Sequence, residues 1–135
     1  MTKKISEIEG IGPAFSAKLE KAGITTVEGL LEKGGTKAGR KAISSESGLD
    51  DGKILDFVNM ADLFRIKGIG SQFAELLKAS GVDTVKELRN RNPASLHTKL
   101  MEVHTQKKLT RTVPGETQLA DFIEQAQKLA PKVTY

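Results

Sequence analysis

Apolar residues recur along most of this chain with the three- and four-residue spacing of amphipathic helices. Two stretches carry the full i, i+3, i+4, i+7 pattern: Ile54, Phe57, Val58 and Ala61, and later Leu119, Phe122, Ile123 and Ala126. No stretch shows the alternation of apolar and polar residues that marks a half-buried strand. The pattern therefore predicts an all-α protein, in which four phenylalanine side chains are expected to be buried: Phe15, Phe57, Phe73 and Phe122.

Residues typical of helix starts and helix ends flank these periodic segments. In the first half the predicted boundaries are Pro13 and Gly23, a capping box from Thr25 to Glu28, a helix from about Thr36 to Gly48, and a cap at Asp50. In the second half they are Asp83, Asn92-Pro93 and Pro131. The same order of signals in both halves indicates a repeated plan.

An internal repeat accounts for this symmetry. Residues 8–30 and 66–88 are identical at 10 of 23 positions at an offset of 58. The similarity resumes at an offset of 65, where Asp56-Phe57-Val58 matches Asp121-Phe122-Ile123, so the second copy carries an insertion around Lys107–Gly115. We predict two pseudo-equivalent units in one compact domain, residues 1–64 and residues 65–135, the second with a short basic insertion.

Each copy contains a glycine turn, Gly10-Ile11-Gly12 in the first and Gly68-Ile69-Gly70 in the second. The first glycine permits a positive φ, and the isoleucine is expected to point into the core. The second glycine is expected to open the next helix and to let another backbone approach closely. Free backbone N–H groups at such a helix N-terminus form a site for one phosphate.

The segments Ile8–Pro13 and Ile66–Ser71 resemble the hairpins of the helix-hairpin-helix superfamily. More narrowly, Val58–Gly70 and Gly81–Pro93 resemble an uncharacterised bacterial family, a domain of unknown function with tandem helix-hairpin-helix repeats. The narrower resemblance implies that fold. The broader one implies sequence-independent binding of duplex DNA through hairpin amides, in some members with a monovalent cation held by hairpin carbonyls.

The two turns differ in charge. The net charge of +4 arises in the second half, because residues 1–63 carry −1 and residues 64–135 carry +5. Lys67 and Ser71 suit the second turn to phosphate, whereas the first has Glu9, which repels phosphate, and Pro13, which lacks an N–H, at those positions. The candidate nucleic-acid-binding residues are Gly10, Ile11, Gly12, Arg65, Lys67, Gly68, Ile69, Gly70, Ser71, Lys107, Lys108 and Arg111.

Catalytic and metal sites find no support in the sequence. The absence of cysteine excludes disulfides, a thiolate nucleophile and cysteine-based metal sites, and it fits a cytoplasmic protein. His97 and His104 lack a third ligand at helical spacing, and Gly34-Gly35-Thr36-Lys37 lacks the spacing of a P-loop. We therefore predict no enzymatic activity, no cofactor, no small-molecule substrate and no membrane span.

Two functions remain open. The first is a module that binds duplex DNA without sequence preference; duplex is expected because aromatic residues make up only 4% of the chain, too few for a platform that stacks single-stranded bases. The second is a protein-interaction or scaffold module, with an unidentified partner, that has kept the fold without the DNA-binding role. Glu9 and the near-neutral first half favour the second.

Overall fold

A computed structural model describes residues 3–8, 10–108 and 110–134 of the chain. These residues form eight α-helices and no strand, which confirms the all-α prediction. The chain divides into two compact units, Met1–Asp62 with Lys132–Tyr135, and Leu63–Pro131. The sequence-based boundary lies at 64/65 and leaves residues 132–135 in the second unit, whereas the structure groups them with the first.

The first unit begins with a short 3-10 turn, Ile5–Glu7. It is followed by α1 (Pro13–Lys21), α2 (Val27–Gly34), α3 (Lys37–Ser47) and α4 (Asp51–Leu63), whose last residue belongs to the second unit. Buried apolar side chains from the turn and from all four helices form the core, among them Ile5, Leu19, Leu30, Ile43, Ile54 and Val58.

The second unit contains α5 (Ser71–Ala79), the single-turn α6 (Val85–Leu88), α7 (Pro93–Lys107) and α8 (Glu116–Lys128). Helix α7 packs against α5 and α8, and α6 packs against α8. The core includes Ile66, Ile69, Leu76, Leu88, Leu100, Phe122 and Ile123. The predicted apolar stripe of α8 is confirmed, because Leu119, Phe122, Ile123 and Ala126 are all buried.

Several predicted helix boundaries are confirmed. Pro13 is the first residue of α1, and Gly23 follows that helix with φ +77°. The Asp50 carboxylate accepts the Gly52 N–H at the start of α4. Asn92 caps α7 by accepting hydrogen bonds from the backbone N–H groups of Ala94 and Ser95, and Pro93 is the first residue of the helix.

Two predicted caps are displaced by one residue. Thr26 rather than Thr25 caps α2, accepting the Gly29 N–H at 2.9 Å, and Thr84 rather than Asp83 caps α6. For the first of these caps the reason lies in the N-terminal segment, where the carbonyl of Thr25 accepts the Ile5 N–H and the Glu28 carboxylate accepts the Lys3 N–H. Glu28 therefore ties down that segment instead of closing a capping box.

Burial separates the four phenylalanines that were predicted to be buried. Phe57 and Phe122 are buried, as predicted, but Phe15 and Phe73 are only half-buried. Each of the latter lies at the third position of its helix, and its ring packs against the buried one at a steep angle. The ring centroids are 5.6 Å apart for Phe15 and Phe57 and 6.3 Å apart for Phe73 and Phe122.

The segment after α8 is attached to the first unit by backbone hydrogen bonds. The Thr134 N–H donates to the carbonyl of Gly35 at 2.8 Å, and Val133 is buried. The guanidinium of the buried Arg40 donates to the carbonyls of Gly34, Gly35 and Thr134. No pattern in the sequence predicts this role of Arg40. Among the residues described, no helix is long and apolar enough to cross a membrane.

Candidate nucleic-acid interface

The first glycine of each turn is demanded by the backbone. Gly10 has φ +92° and Gly68 has φ +97°, a region that L residues rarely adopt. A Cβ atom on Gly68 would lie 2.8 Å from Cε1 of Phe122, whereas one on Gly10 would lie 3.6 Å from Cε1 of Phe57. Phe57 and Phe122 are themselves paired by the offset of 65, so the two turns meet equivalent rings.

The isoleucine between the glycines fills the core in both turns, as predicted. Ile11 and Ile69 are buried, and each donates its N–H to the carbonyl three residues earlier, that of Ile8 or Ile66, at 3.1 and 3.2 Å. These two amides and side chains are therefore unavailable to a ligand. Ile11 and Ile69 were candidate binding residues, and the geometry gives them the role of anchoring the turn.

The second glycine of each turn is not demanded by the fold. Gly12 and Gly70 have φ −91° and −103°, which any residue adopts, and they open α1 and α5 as predicted. The expectation that another part of the chain approaches closely here is wrong for the described residues, since an added Cβ would meet no atom of theirs within 4 Å. Both glycines are exposed, so the missing side chain leaves the helix N-terminus open to the outside.

Several backbone N–H groups at the second turn have no hydrogen-bond acceptor among the described residues. In the described part of the chain, no acceptor meets the N–H groups of Gly68, Gly70 and Ser71, and no side chain caps α5. The first turn offers fewer donors because Pro13 has no N–H. Glu9, which the sequence analysis set against phosphate binding there, lies outside the described residues.

The basic candidates near the second turn are not equivalent. Lys67 is exposed, and no described carboxylate forms an ion pair with it. Ser71 is half-buried at the first position of α5. Arg65 is also half-buried, and it already interacts within the chain. Of the side chains proposed for this turn, Lys67 is therefore the one best placed to meet an external anion.

A glutamine that the sequence analysis missed holds this turn. The Gln125 side chain on α8 accepts the Lys67 N–H at 2.9 Å and donates to the Lys67 carbonyl at 3.1 Å. Its amide nitrogen also donates to the Asp121 carboxylate at 3.0 Å. A signal was present in the repeat, because the offset of 65 aligns Gln125 with Met60, a buried apolar residue in the first unit.

The basic loop, which we define as Lys107, Lys108 and Arg111, begins at the last residue of α7, and all three residues are exposed. Lys108 ends the helix with φ +47°, and its N–H donates to the carbonyl of His104. The loop leads into α8, and the ring that contacts Gly68 lies six residues, or about 9 Å, along that helix. Among the described residues no hydrogen bond or ion pair joins the basic loop to the second turn.

The two histidines lie on one helix of the second unit. His97 and His104 are half-buried on α7. Within the described ranges, no group of three or more histidine, aspartate or glutamate side chains comes close enough together to hold a metal ion.

A family model matches most of the chain. Residues 9–129 match a family described as "Domain of unknown function (DUF4332)", and this range includes both glycine turns and all eight described helices. Searches of curated proteins and of solved structures gave no match.

Proposed function

Because the chain belongs to the family described as Domain of unknown function (DUF4332), we propose its function from the site itself. We propose that it is a non-enzymatic, cytoplasmic module of the helix-hairpin-helix type that binds duplex DNA without sequence preference. The second turn makes the main contact with DNA. Its free amides bind one phosphate, and Lys67 and the basic loop add electrostatic attraction.

One observation carries the proposal. Gly70 has an ordinary φ, an exposed backbone and an empty space where a side chain would stand, so no described residue of its unit requires glycine there. A phosphate resting on the N–H groups of Gly70 and Ser71 would require it, because a methyl group there would lie against the anion. The positive end of the α5 dipole favours negative charge at the same place.

Phosphate contact explains why the interaction would not distinguish sequences. Backbone amides and a lysine reach phosphate oxygens but not base edges, and such contacts position a protein without reading its site. The affinity is then dominated by counterion release, and a nonspecific Kd of about 10⁻⁴ to 10⁻⁶ M is expected near physiological salt.

The test measures the binding of wild type and two variants to a fluorescent duplex of random sequence at low and moderate salt. Gly70→Ala should weaken binding about tenfold or more, because it displaces one charge-assisted hydrogen bond. Its unfolding free energy should change by no more than about 1 kcal/mol, the usual scale of an N-cap change. Lys67→Glu should weaken binding to all duplexes alike and should make it less dependent on salt.

Matched controls separate binding from folding. Gly115→Ala places the same methyl group on the exposed N-cap glycine of α8, where an added Cβ also meets no atom within 4 Å. Lys41→Glu makes the same charge change on an exposed residue of the first unit. Both controls should bind DNA about as well as wild type.

Three outcomes would contradict the proposal. If about 100 μM wild-type protein does not shift duplex DNA at low salt, where the electrostatic attraction is greatest, the scaffold function is preferred. If Gly70→Ala and Gly115→Ala weaken binding equally, the glycine turn has no special role. If Lys67→Glu leaves binding unchanged, the basic loop rather than the turn makes the contact.

A further inference from the structure

We infer that Gln125 is a positioning residue that sets the second turn in its binding conformation before DNA arrives. The inference rests on the proposed function, and it assigns a role to a side chain that itself makes no contact with DNA. Gln125 lies on α8, 58 residues along the chain from Lys67, and it connects the turn to a long helix of the same unit.

Three hydrogen bonds fix the glutamine amide in one orientation. The Asp121 carboxylate, when ionised, can only accept, so the Gln125 nitrogen must face it. The same nitrogen donates to the Lys67 carbonyl, and the oxygen on the other side of the amide accepts the Lys67 N–H. Both peptide groups of Lys67 are therefore held, and the lysine side chain leaves from a defined point on the turn.

The first unit has no glutamine at the equivalent position. Met60 stands at the position equivalent to Gln125, and a thioether offers no N–H donor and only a weak acceptor. The glycine geometry is nevertheless the same in the two turns, with φ of +92° at Gly10 and +97° at Gly68. Gln125 is thus not needed to form the turn. What it adds is restraint of the residue that carries the lysine.

Restraint of this kind raises affinity without adding a contact. A turn that samples several orientations loses that freedom when it binds, and a turn held in advance loses less. Holding the Lys67 backbone also keeps the amides of Gly68 and Gly70 pointing in a constant direction relative to α5. The expected contribution is that of a neutral hydrogen-bond pair, about fivefold in Kd, which corresponds to about 1 kcal/mol.

The test replaces Gln125 by Met, the residue of the first unit, and compares duplex affinity and its salt dependence with wild type. Gln125→Met should raise Kd about fivefold for every duplex while leaving the salt dependence unchanged, because no charge is removed. Lys67→Met should instead lower the slope of log K against log salt by about one. A structural role alone would not produce this separation.

Two further measurements show whether a change in affinity comes from loss of the hydrogen bonds to Lys67. Amide hydrogen exchange without DNA should show the Lys67 N–H protected in wild type and faster in Gln125→Met, with the core of α8 unchanged. Gln127→Met changes an exposed glutamine on the same helix and should alter neither quantity. If Gln125→Met folds poorly by circular dichroism, Gln125→Asn takes its place, since a side chain one methylene shorter cannot span the same bonds.

The possible failures are distinguishable. If wild-type protein does not bind DNA, the proposed function falls, and this inference falls with it. If wild type binds, Lys67 exchange accelerates and yet Gln125→Met binds with unchanged affinity, only the positioning role is overturned. Unprotected Lys67 exchange in wild type also overturns it, because the hydrogen bonds would then not persist in solution.

Discussion

Alanine in place of the first glycine of a turn should destabilise the protein much more in the second turn, at Gly68, than in the first turn, at Gly10. Gly68 and Gly10 have nearly the same φ, so an alanine at either site incurs the same backbone strain, about 1–2 kcal/mol. The difference lies in the space available. The new methyl carbon would stand 2.8 Å from Phe122 at Gly68 but 3.6 Å from Phe57 at Gly10. Carbon atoms normally approach to about 3.5–4.0 Å, so only the first contact is repulsive.

The magnitude follows from how well Phe122 can move. Its ring is 1% exposed, so it cannot swing into solvent and must displace its neighbours. Overpacking of this kind costs about 1–3 kcal/mol, which brings the expected loss to about 2–5 kcal/mol for Gly68→Ala against about 1–2 kcal/mol for Gly10→Ala.

Urea unfolding followed by far-ultraviolet circular dichroism measures both losses, since the chain is helical and contains no tryptophan. A double-mutant cycle with Phe122→Leu tests the cause, because removing the ring edge should bring the cost of Gly68→Ala down to that of Gly10→Ala. The reasoning is refuted if Gly10→Ala is as costly as Gly68→Ala, or if Phe122→Leu does not reduce the difference.

Two other outcomes are expected. Phe122→Ala should lower the unfolding free energy by about 3–5 kcal/mol and Phe73→Ala by only about 1–2 kcal/mol, because the second ring is half-exposed; equal losses would contradict the burial that separates them. The pKa of Glu87 lies above its ordinary value because burial raises it and the negative charge of the Asp83 carboxylate raises it further. A hydrogen bond from the Asp83 backbone N–H and the positive charge of Arg91 offset part of this increase. The carboxylate is then less favourable in the folded protein than in the unfolded one. Stability is retained below the ordinary pKa of about 4.5 and is lost as pH rises through the raised value. Glu87→Gln should therefore stabilise the protein at pH 7 but not at pH 3, and equal effects at both pH values would show that charge is not the cause.

Short-range signals in the sequence were sufficient for the fold class and the turns. The apolar stripes, the positive φ of Gly10 and Gly68 and the cap at Asn92 each depend on residues within about two helical turns of one another. The internal repeat strengthened the prediction, because the spacing of glycines and apolar residues was found twice. For the same reason the amino-acid sequence alone was enough to name the candidate turn residues.

Tertiary structure decided what surrounds each of these turn residues. The sequence does not show that a side chain at Gly70 would meet open space, whereas one at Gly68 would press on the ring of Phe122. It also does not pair Gln125 with Lys67, 58 residues apart, or Arg40 with Thr134, 94 residues apart. Such pairs depend on how far each helix is rotated about its axis and on where the chain returns after a loop. A periodic pattern shows which face of a helix is apolar, but it does not show which polar group the neighbouring element brings to the edge of that face.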